Sequence, residues 1–374
     1  MQRRVFVQGG ATALGLGLNL PLRAQAPALR FGQSASLTGG QAAYGKDVRD
    51  GIRAAFDGAN RSDGKGPRVE LVTLDDGGEK EHCKANAAKL VEGGALALVG
   101  LTSGAGAEAC LPLVESQRVV LLGTASGNMG IRSDKLAMAY HVRPGYDLEY
   151  SRLVAYVKTF GMQRVALVHL KDTSPANQLA MTAALDQAQI RLTTTIALDR
   201  NQPRFDAEVK QLLADKLDCV LFSTNAQPIS SIVAGMAAAG YIGFYFASSF
   251  AGQTLIDDMA DKGHSVIMSQ VVPRPNAVAT GVVKQYREDL AALGSGARPG
   301  FTSLEGYIVG RVAVEAARTG SRGGATVTRA RFRDALAELN VDLGGYRMHF
   351  TPPSPLGSRF VEVVAINRSG RVVG

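Results

Sequence analysis

The chain has 374 residues, which is more than one hydrophobic core usually organises, so we expect two domains or a two-lobed unit. Apolar residues make up 46% and charged residues 20%, values typical of a folded globular chain that exclude a disordered or collagen-like protein. The formal charge of +8 is scattered, aromatic residues are only 6% and tryptophan is absent, so we expect no nucleic-acid partner.

Residues 1–26 have the pattern of an export signal. An arginine pair in 3–6 (RRVF) precedes an apolar run over 9–22 that is too short to span a bilayer comfortably. The pair followed by x-Phe resembles a twin-arginine signal, and an ordinary secretory signal with two adjacent arginines is the alternative. Cleavage is expected after Ala24 or after Ala26, and the mature protein is expected to be soluble in the periplasm.

The three cysteines form no CxxC pair, so their spacing does not support a zinc or thioredoxin-like site. Cys219 begins an apolar run over 219–222 and is expected to be an inert thiol in a buried strand. An exported protein can hold a disulfide, which leaves Cys83 and Cys110 as the candidate pair. Two buried thiols are the alternative.

Apolar strand-like runs alternate with amphipathic stretches up to residue 270. The predicted strands are 30–33, 69–74, 95–100, 119–123, 165–169, 193–197, 219–223, 244–247 and 266–270. Helical stretches between them include 47–60, 81–91, 148–160, 176–187, 205–214 and 230–239. This alternation predicts an α/β fold with parallel sheets covered by helices on both faces.

The pattern changes after Pro273. Longer helical periods replace the alternation, and two hairpin-like segments close the chain. The predicted helices are 277–292, 302–319 and 329–339, and the hairpin-like segments are 345–350 and 360–367.

Small polar residues follow several predicted strands, in the clusters 36–39, 102–104, 124–127 and 223–225. Ligands of open α/β sheets bind at the carboxyl ends of the strands, so these clusters indicate a binding site at that edge.

Catalytic and cofactor motifs are weak or missing. Residues 104–109 (GAGAEA) match a dinucleotide fingerprint, but no acidic residue follows at the required distance, so a glycine-rich turn opening a helix suits the segment better. No GxSxG elbow and no phosphate-binding loop occurs, and the five histidines lack metal-ligand spacing. Asp75 and Asp76 are interpreted as turn residues rather than metal ligands. We therefore expect no enzyme, no cofactor and no metal, with an unrecognised enzyme site as the alternative.

Five stretches together resemble the branched-chain amino-acid type of periplasmic solute-binding protein, the type I substrate-binding proteins of ABC importers. They occur in family order and cover nearly all of the mature chain. The stretches are 36–40 (SLTGG) with Tyr44 and Gly45; 74–77 (LDDG) with 97–100 (ALVG); Arg143, Tyr146 and Glu149; 249–252 (SFAG) with 269–273 (SQVVP); and 303–307 (SLEGY).

The resemblance implies two Rossmann-like lobes joined by three hinge crossings near 144–147, 271–275 and 347–352. The N-terminal lobe would comprise 27–145 and 274–348, and the C-terminal lobe 146–273 and 349–374. A small-molecule ligand would be buried between the lobes by hinge closure, and the closed form would dock on an inner-membrane ABC permease. The protein is expected to act as a monomer.

The resemblance also assigns candidate ligand-binding residues. From the N-terminal lobe and the first crossing they are Tyr44, Thr102, Ser103, Gly104, Thr124, Ala125, Ser126, Gly127, Tyr146 and Glu149; from the C-terminal lobe they are Ser174, Asn225, Ser249 and Phe250. Hinge structure is the alternative role for Tyr146 and Glu149. Hydroxyls and helix N-termini of the first lobe suit a carboxylate or amide head.

The second lobe departs from the family pattern, because Ser248 and Ser249 stand where a leucine binder has an acidic residue for the α-amino group. A carboxylate or amide ligand with a neutral, apolar or aromatic body is therefore as plausible as a branched-chain amino acid. A ligand sensor with the same fold is the alternative to a transport receptor.

Overall fold

The computed structural model describes residues 27–62, 66–199, 202–350 and 355–373. The predicted signal peptide, 1–26, lies outside the described residues. Within the described part of the chain, no helix is both long enough and apolar enough to cross a membrane.

The first sheet has five strands in the order β2-β1-β3-β4-β5, and every neighbouring pair is parallel. Its strands are β1 (Leu29–Ala35), β2 (Val69–Asp75), β3 (Ala97–Val99), β4 (Val120–Leu122) and β5 (Ala139–Tyr140). Parallel neighbours need crossover connections, which are supplied by α1 (Ala42–Arg61), α2 (Lys80–Glu92) and α3 (Gly104–Ser116). A short 3₁₀ turn, Met129–Ile131, lies between β4 and β5.

The second sheet has seven strands in the order β14-β13-β10-β9-β8-β6-β7. Its parallel strands are β6 (Val165–Leu170), β7 (Leu192–Leu198), β8 (Cys219–Ser223), β9 (Phe244–Ala247) and β10 (Val266–Gln270). The helices of this part are α4 (Tyr146–Thr159), α5 (Pro175–Ala188), α6 (Asp206–Ala214), α7 (Ala226–Ala238) and α8 (Gly252–Lys262).

The chain then returns to the first sheet through α9 (Gly281–Ala292), α10 (Phe301–Gly320) and α11 (Arg329–Ala337). α10 packs along α1, and its close approach depends on glycine. A Cβ on Gly51 would lie 2.0 Å from the carbonyl oxygen of Ser303, and one on Gly306 would lie 2.2 Å from that of Val48. No side chain fits at such distances, so the glycines let the two helix backbones touch.

Four short strands complete the fold. β11 (Asn340–Asp342) pairs with β12 (Arg347–His349), while β13 (Glu362–Ile366) adds antiparallel to β10 and then pairs with β14 (Val372–Val373). Each predicted hairpin-like segment thus forms half of a separate hairpin. The predicted helix over 277–292 begins only at Gly281, because 274–280 forms turns that end at the extended residue Thr280.

The chain passes between the two sheets three times: between β5 and α4, between β10 and α9, and between β12 and β13. The first two predicted crossings, 144–147 and 271–275, lie in or at the ends of these connections. The third, 347–352, begins within β12, and 351–354 lie outside the described residues. The predicted lobe boundaries remain a prediction.

The cysteines correct one prediction. Cys83 on α2 and Cys110 on α3 are neighbours, since the Cys110 thiol donates to the Cys83 carbonyl at 3.9 Å, but both are free thiols rather than a disulfide. The contact between the two thiols raises the pKa of Cys83, which burial raises further, and lowers the pKa of Cys110. Cys219 lies buried in β8, as expected, and burial raises its pKa to about 12.

Candidate functional site: a cavity between the two sheets

A cavity of about 520 Å³ lies where the carboxyl ends of strands from both sheets meet. The loops after β2, β3 and β4 form one wall, and the loops after β6, β8 and β9 form the other. Loops at the carboxyl ends of parallel strands form the usual ligand site of an open α/β sheet.

The wall on the first sheet is built on the start of α3. Ser103 caps this helix: its backbone is extended and its hydroxyl accepts a hydrogen bond from the N–H of Gly106 at 3.0 Å. A Cβ on Gly104 would lie 2.6 Å from the Ser126 hydroxyl, so glycine allows the two loops to meet. The first N–H groups of a helix have no partner within the helix, so this corner, lined by Ser103, Gly104, Ala105 and Ser126, suits an anion or a carbonyl.

Aromatic side chains line the cavity on both walls. The Tyr146 hydroxyl lies 3.3 Å from the Ser126 hydroxyl, and the Tyr146 ring stacks on Tyr150 with centroids 5.4 Å apart. On the other wall, Phe250 meets Tyr44 edge-on at 5.6 Å. Flat apolar surfaces therefore border a polar corner, which suits a ligand with a polar head and a less polar body.

Charged side chains stand at the margin of the cavity. Glu79, Lys80, Glu108 and Asp172 contribute to its lining. The carboxylate of Glu108 accepts a hydrogen bond from the Asn128 amide at 2.9 Å, so it is already partly satisfied within the protein.

Two hydrogen bonds join the parts of the chain that carry the two sheets. In the lining, the Asn177 side-chain oxygen accepts a hydrogen bond from the N–H of Met129 at 2.7 Å. Outside the lining, the N–H of Gln253 on α8 donates to the Thr302 hydroxyl of α10 at 2.9 Å. The two parts are therefore in direct contact at the cavity and at a second point.

A buried cluster of charges lies at the first crossing. Arg143, only 1% exposed, forms ion pairs with Glu149 of α4 and with Glu305 of α10, the latter at 3.3 Å. Its guanidinium also donates to the Ser249 hydroxyl at 2.6 Å. The second oxygen of Glu149 accepts hydrogen bonds from the Ser249 N–H at 3.0 Å and the Ser269 hydroxyl at 2.6 Å. One arginine thus connects helices that pack on different sheets.

The cluster shifts the pKa values of its members. Burial lowers the pKa of Arg143, but the carboxylates of Glu305 and Glu149 outweigh it and hold that pKa above its ordinary value. Burial raises the pKa of Glu305, and Arg143 opposes the shift. Arg143 is the only cation within ion-pair distance of either carboxylate among the described residues.

Six of the predicted ligand-binding residues line the cavity: Ser103, Gly104, Ser126, Tyr146, Ser174 and Phe250. Their contact with a ligand remains a prediction. Tyr44 and Gly127 lie just behind this lining, because Tyr44 packs on Phe250 and the α-carbon of Gly127 faces the Tyr146 ring.

The remaining predicted residues lie away from the lining. The Thr102 hydroxyl accepts a hydrogen bond from the N–H of Ser36 at 3.0 Å. Ala125 is buried and accepts the Tyr44 hydroxyl, and the Thr124 hydroxyl is buried with no hydrogen-bond partner among the described residues. Glu149 and Ser249 belong to the buried cluster, in agreement with the hinge alternative for Glu149. Asn225 borders a smaller cavity of about 260 Å³ on the other side of Gly78 and Glu79.

Sequence reasoning missed several polar residues of the lining, among them Glu108, Asn128 and Asn177. Glu108 lies inside the segment interpreted as a glycine-rich turn, and Asn128 directly follows the predicted cluster 124–127. The sequence pattern around both residues could therefore have indicated that they belong to the site. Asn177 sits in the first turn of α5, where the sequence pattern carries no sign of a contact with Met129.

The sequence profile described as periplasmic binding protein matches residues 28–369. The chain belongs to this family. This match confirms the family resemblance drawn from the sequence.

Individual relatives agree with this family. The chain is 30% identical over 200 residues to the Leu/Ile/Val-binding protein BraC3 of Rhizobium johnstonii, a match that covers 52% of this chain and 54% of that relative. It therefore spans about half the length of this curated relative.

Solved structures show the same fold. A possible leucine/isoleucine/valine-binding protein from Rhodopirellula baltica superimposes with a TM-score of 0.86 at 24% identity, covering 94% of this chain and 97% of that one. An ABC transporter substrate-binding protein from Aeropyrum pernix has a TM-score of 0.81 at 16% identity, covering 92% and 94%. Family membership implies a location outside the cytoplasm and a solute-binding role.

Proposed function

We propose that the protein is an extracytoplasmic receptor that captures one small solute in the cavity between the sheets and delivers it to an inner-membrane ABC permease. The observation that carries this proposal is the cavity itself, which both sheets line at the carboxyl ends of their strands. In this proposal the protein acts as a monomer, catalyses no reaction and uses the signal peptide, by the twin-arginine route, to reach the periplasm.

The polar head of the solute is a carboxylate or an amide. Ser103 and Ser126 offer hydroxyls, and the start of α3 offers N–H groups and the positive end of the helix dipole. Hydroxyl and N–H donors of this kind stabilise a negative or carbonyl oxygen without a lysine or arginine.

A free α-amino group is not required. The buried carboxylate nearest the hinge, Glu149, is fully occupied by Arg143, Ser249 and Ser269. A buried ammonium needs a partner, since an unpaired charge removed from water is strongly unfavourable. The acidic residues of the lining, Glu79, Glu108 and Asp172, are exposed or only partly buried, and one oxygen of Glu108 is engaged by Asn128, so the lining offers no buried carboxylate to an amino group.

Closure of the two lobes traps the solute. The hydrogen bonds of Asn177 with Met129 and of Gln253 with Thr302 join the two lobes, and the first of them, at the cavity, would break on opening. The Arg143 cluster lies at the hinge and keeps its charges paired inside the protein. The permease would recognise the closed form.

The experiment first identifies the solute by mass spectrometry of the compound that co-purifies with the protein, and then measures its affinity by calorimetry. Ser126→Ala removes a hydroxyl from a desolvated corner, which weakens binding by about 1–3 kcal/mol, or about 5- to 140-fold. Ser116→Ala, at the far end of α3 and outside the cavity, is the matched control and should bind like the wild type. Unchanged affinity in both Ser126→Ala and Ser103→Ala would show that the solute binds elsewhere.

A further inference from the structure

A second cavity of about 220 Å³ opens beside the main cavity, between α5 and the face of the second sheet formed by β6, β7 and β8. We call it the side cavity; it is lined by residues that include Leu167, His169, Met181, Thr182, Leu192 and Thr195. Thr173, Asn177 and Ser223 border both cavities, so the two are direct neighbours. None of the predicted site residues lines the side cavity.

An irregularity in β7 creates the floor of the side cavity. The pairing of β6 with β7 shifts register near the start of both strands, so Leu192 and Thr195 pair with residues on the same face as Leu167. Helix α5 covers this face with Met181, which is buried together with Leu167, but it leaves Thr195 exposed. The side cavity therefore has an apolar floor and a partly open outer edge.

One histidine side chain lines the side cavity. The Nδ1 atom of His169 lies 2.9 Å from the carbonyl oxygen of Leu170. A carbonyl only accepts, so Nδ1 carries a proton, and in the neutral form of this tautomer Nε2 keeps a lone pair. His169 lines the side cavity together with the hydroxyl-bearing Ser223, so a ligand group that donates a hydrogen bond would find an acceptor there.

We propose that the captured solute is elongated: a carboxylate or amide head binds at the start of α3, and an aliphatic body carries a distal hydroxyl or other donor into the side cavity. This inference rests on the proposed function and names its class of solute. The main cavity alone, at about 520 Å³, falls in the range of about 300–1,000 Å³ that holds drug-sized ligands. A branched-chain amino acid would leave much of this space, and the whole side cavity, unfilled.

The test uses butanoate, octanoate, ω-hydroxyoctanoate, octanamide and leucine as probes, with thermal stabilisation and calorimetry as readouts. Each methylene buried from water strengthens binding by about fourfold, so octanoate should bind far more tightly than butanoate. The ω-hydroxy acid should bind at least as tightly as octanoate. Thr195→Trp and Thr182→Trp, both at exposed positions, fill the side cavity and should remove the advantage of the long probes while leaving butanoate unchanged.

Ala183→Trp is the matched control, because Ala183 is exposed on α5 but does not line the side cavity. This variant should keep the full preference for long probes. Equal affinity for butanoate and octanoate, or a preference that survives both filling variants, would overturn the inference. Stabilisation by leucine alone would also overturn it while leaving the proposed solute-binding function intact. Failure of all five probes would overturn the inference too, and the co-purifying compound would then test the proposed function separately.

Discussion

Replacing Arg143 with methionine tests the role of the buried charge cluster. The substitution keeps an unbranched side chain but leaves Glu149 and Glu305 buried without the cation that pairs with both. Removing one partner of a buried ion pair typically destabilises a protein by about 3–5 kcal/mol. Arg143→Met should therefore lose stability in this range, measured by urea unfolding followed by circular dichroism. Arg152→Met, an exposed arginine on α4, should stay within about 0.5 kcal/mol of the wild type.

The pH dependence of Arg143→Met gives an independent signature. Burial already raises the pKa of Glu305 in the folded protein, and loss of the opposing cation raises it further. When the pKa of a carboxyl group is higher in the folded protein than in the unfolded chain, the group contributes most to stability at a pH below its unfolded pKa. This contribution to stability is lost as the pH rises from the unfolded pKa to the folded pKa. The stability deficit of the variant should thus be smaller at pH 5 than at pH 8. A deficit below about 1 kcal/mol, or one independent of pH, would refute a structural role for the cluster.

Three further predictions follow from the packing and the site. Gly51→Ala should destabilise the protein by about 1–3 kcal/mol or more, because the new Cβ would lie 2.0 Å from a carbonyl oxygen of α10. Gly40→Ala is the control, since a Cβ there would have no atom within 4 Å and should have little effect. Urea unfolding measures the stability of both variants. Thiol titration of the denatured, unreduced mature protein should count three free thiols, and a count of one would contradict the free pair on α2 and α3. The keto acid of leucine should stabilise the protein against heat at least as well as leucine, and stabilisation by leucine alone would show that the amino group is required.

The fold could be predicted from the sequence because its signals are local. Buried parallel strands are read as apolar runs, such as 219–223, which matches β8 residue for residue. The two-residue strands β5 and β14 are too short to give such a run, and only pairing with their neighbours reveals them. The late start of α9 depends on turns after residue 273 that hydrophobic periodicity does not report.

The candidate site could be predicted only in part. Strand-end position brings Ser103 and Ser126 to one cavity, because parallel strands end at a common edge, and the family resemblance adds Phe250 to it. The position of a residue along the chain does not show which side of a loop faces a cavity. The prediction therefore assigns Thr102 and Thr124 to the ligand site, although their side chains are buried away from the cavity lining. The side cavity depends on a register shift in the pairing of β6 with β7, which no sequence pattern predicts.

Native mass spectrometry of the mature protein, purified without refolding from the cells that produce it, tests the central claim most directly. The account predicts a single small solute bound to each chain of the wild type. Ser174→Trp, which places a large ring in the main cavity, should lose this solute, and Ser116→Trp, outside the cavity, should retain it. Retention of the solute by Ser174→Trp, or a wild-type protein that carries no solute and binds none of the acids, amides and amino acids offered to it, would contradict a receptor whose ligand lies between the two sheets.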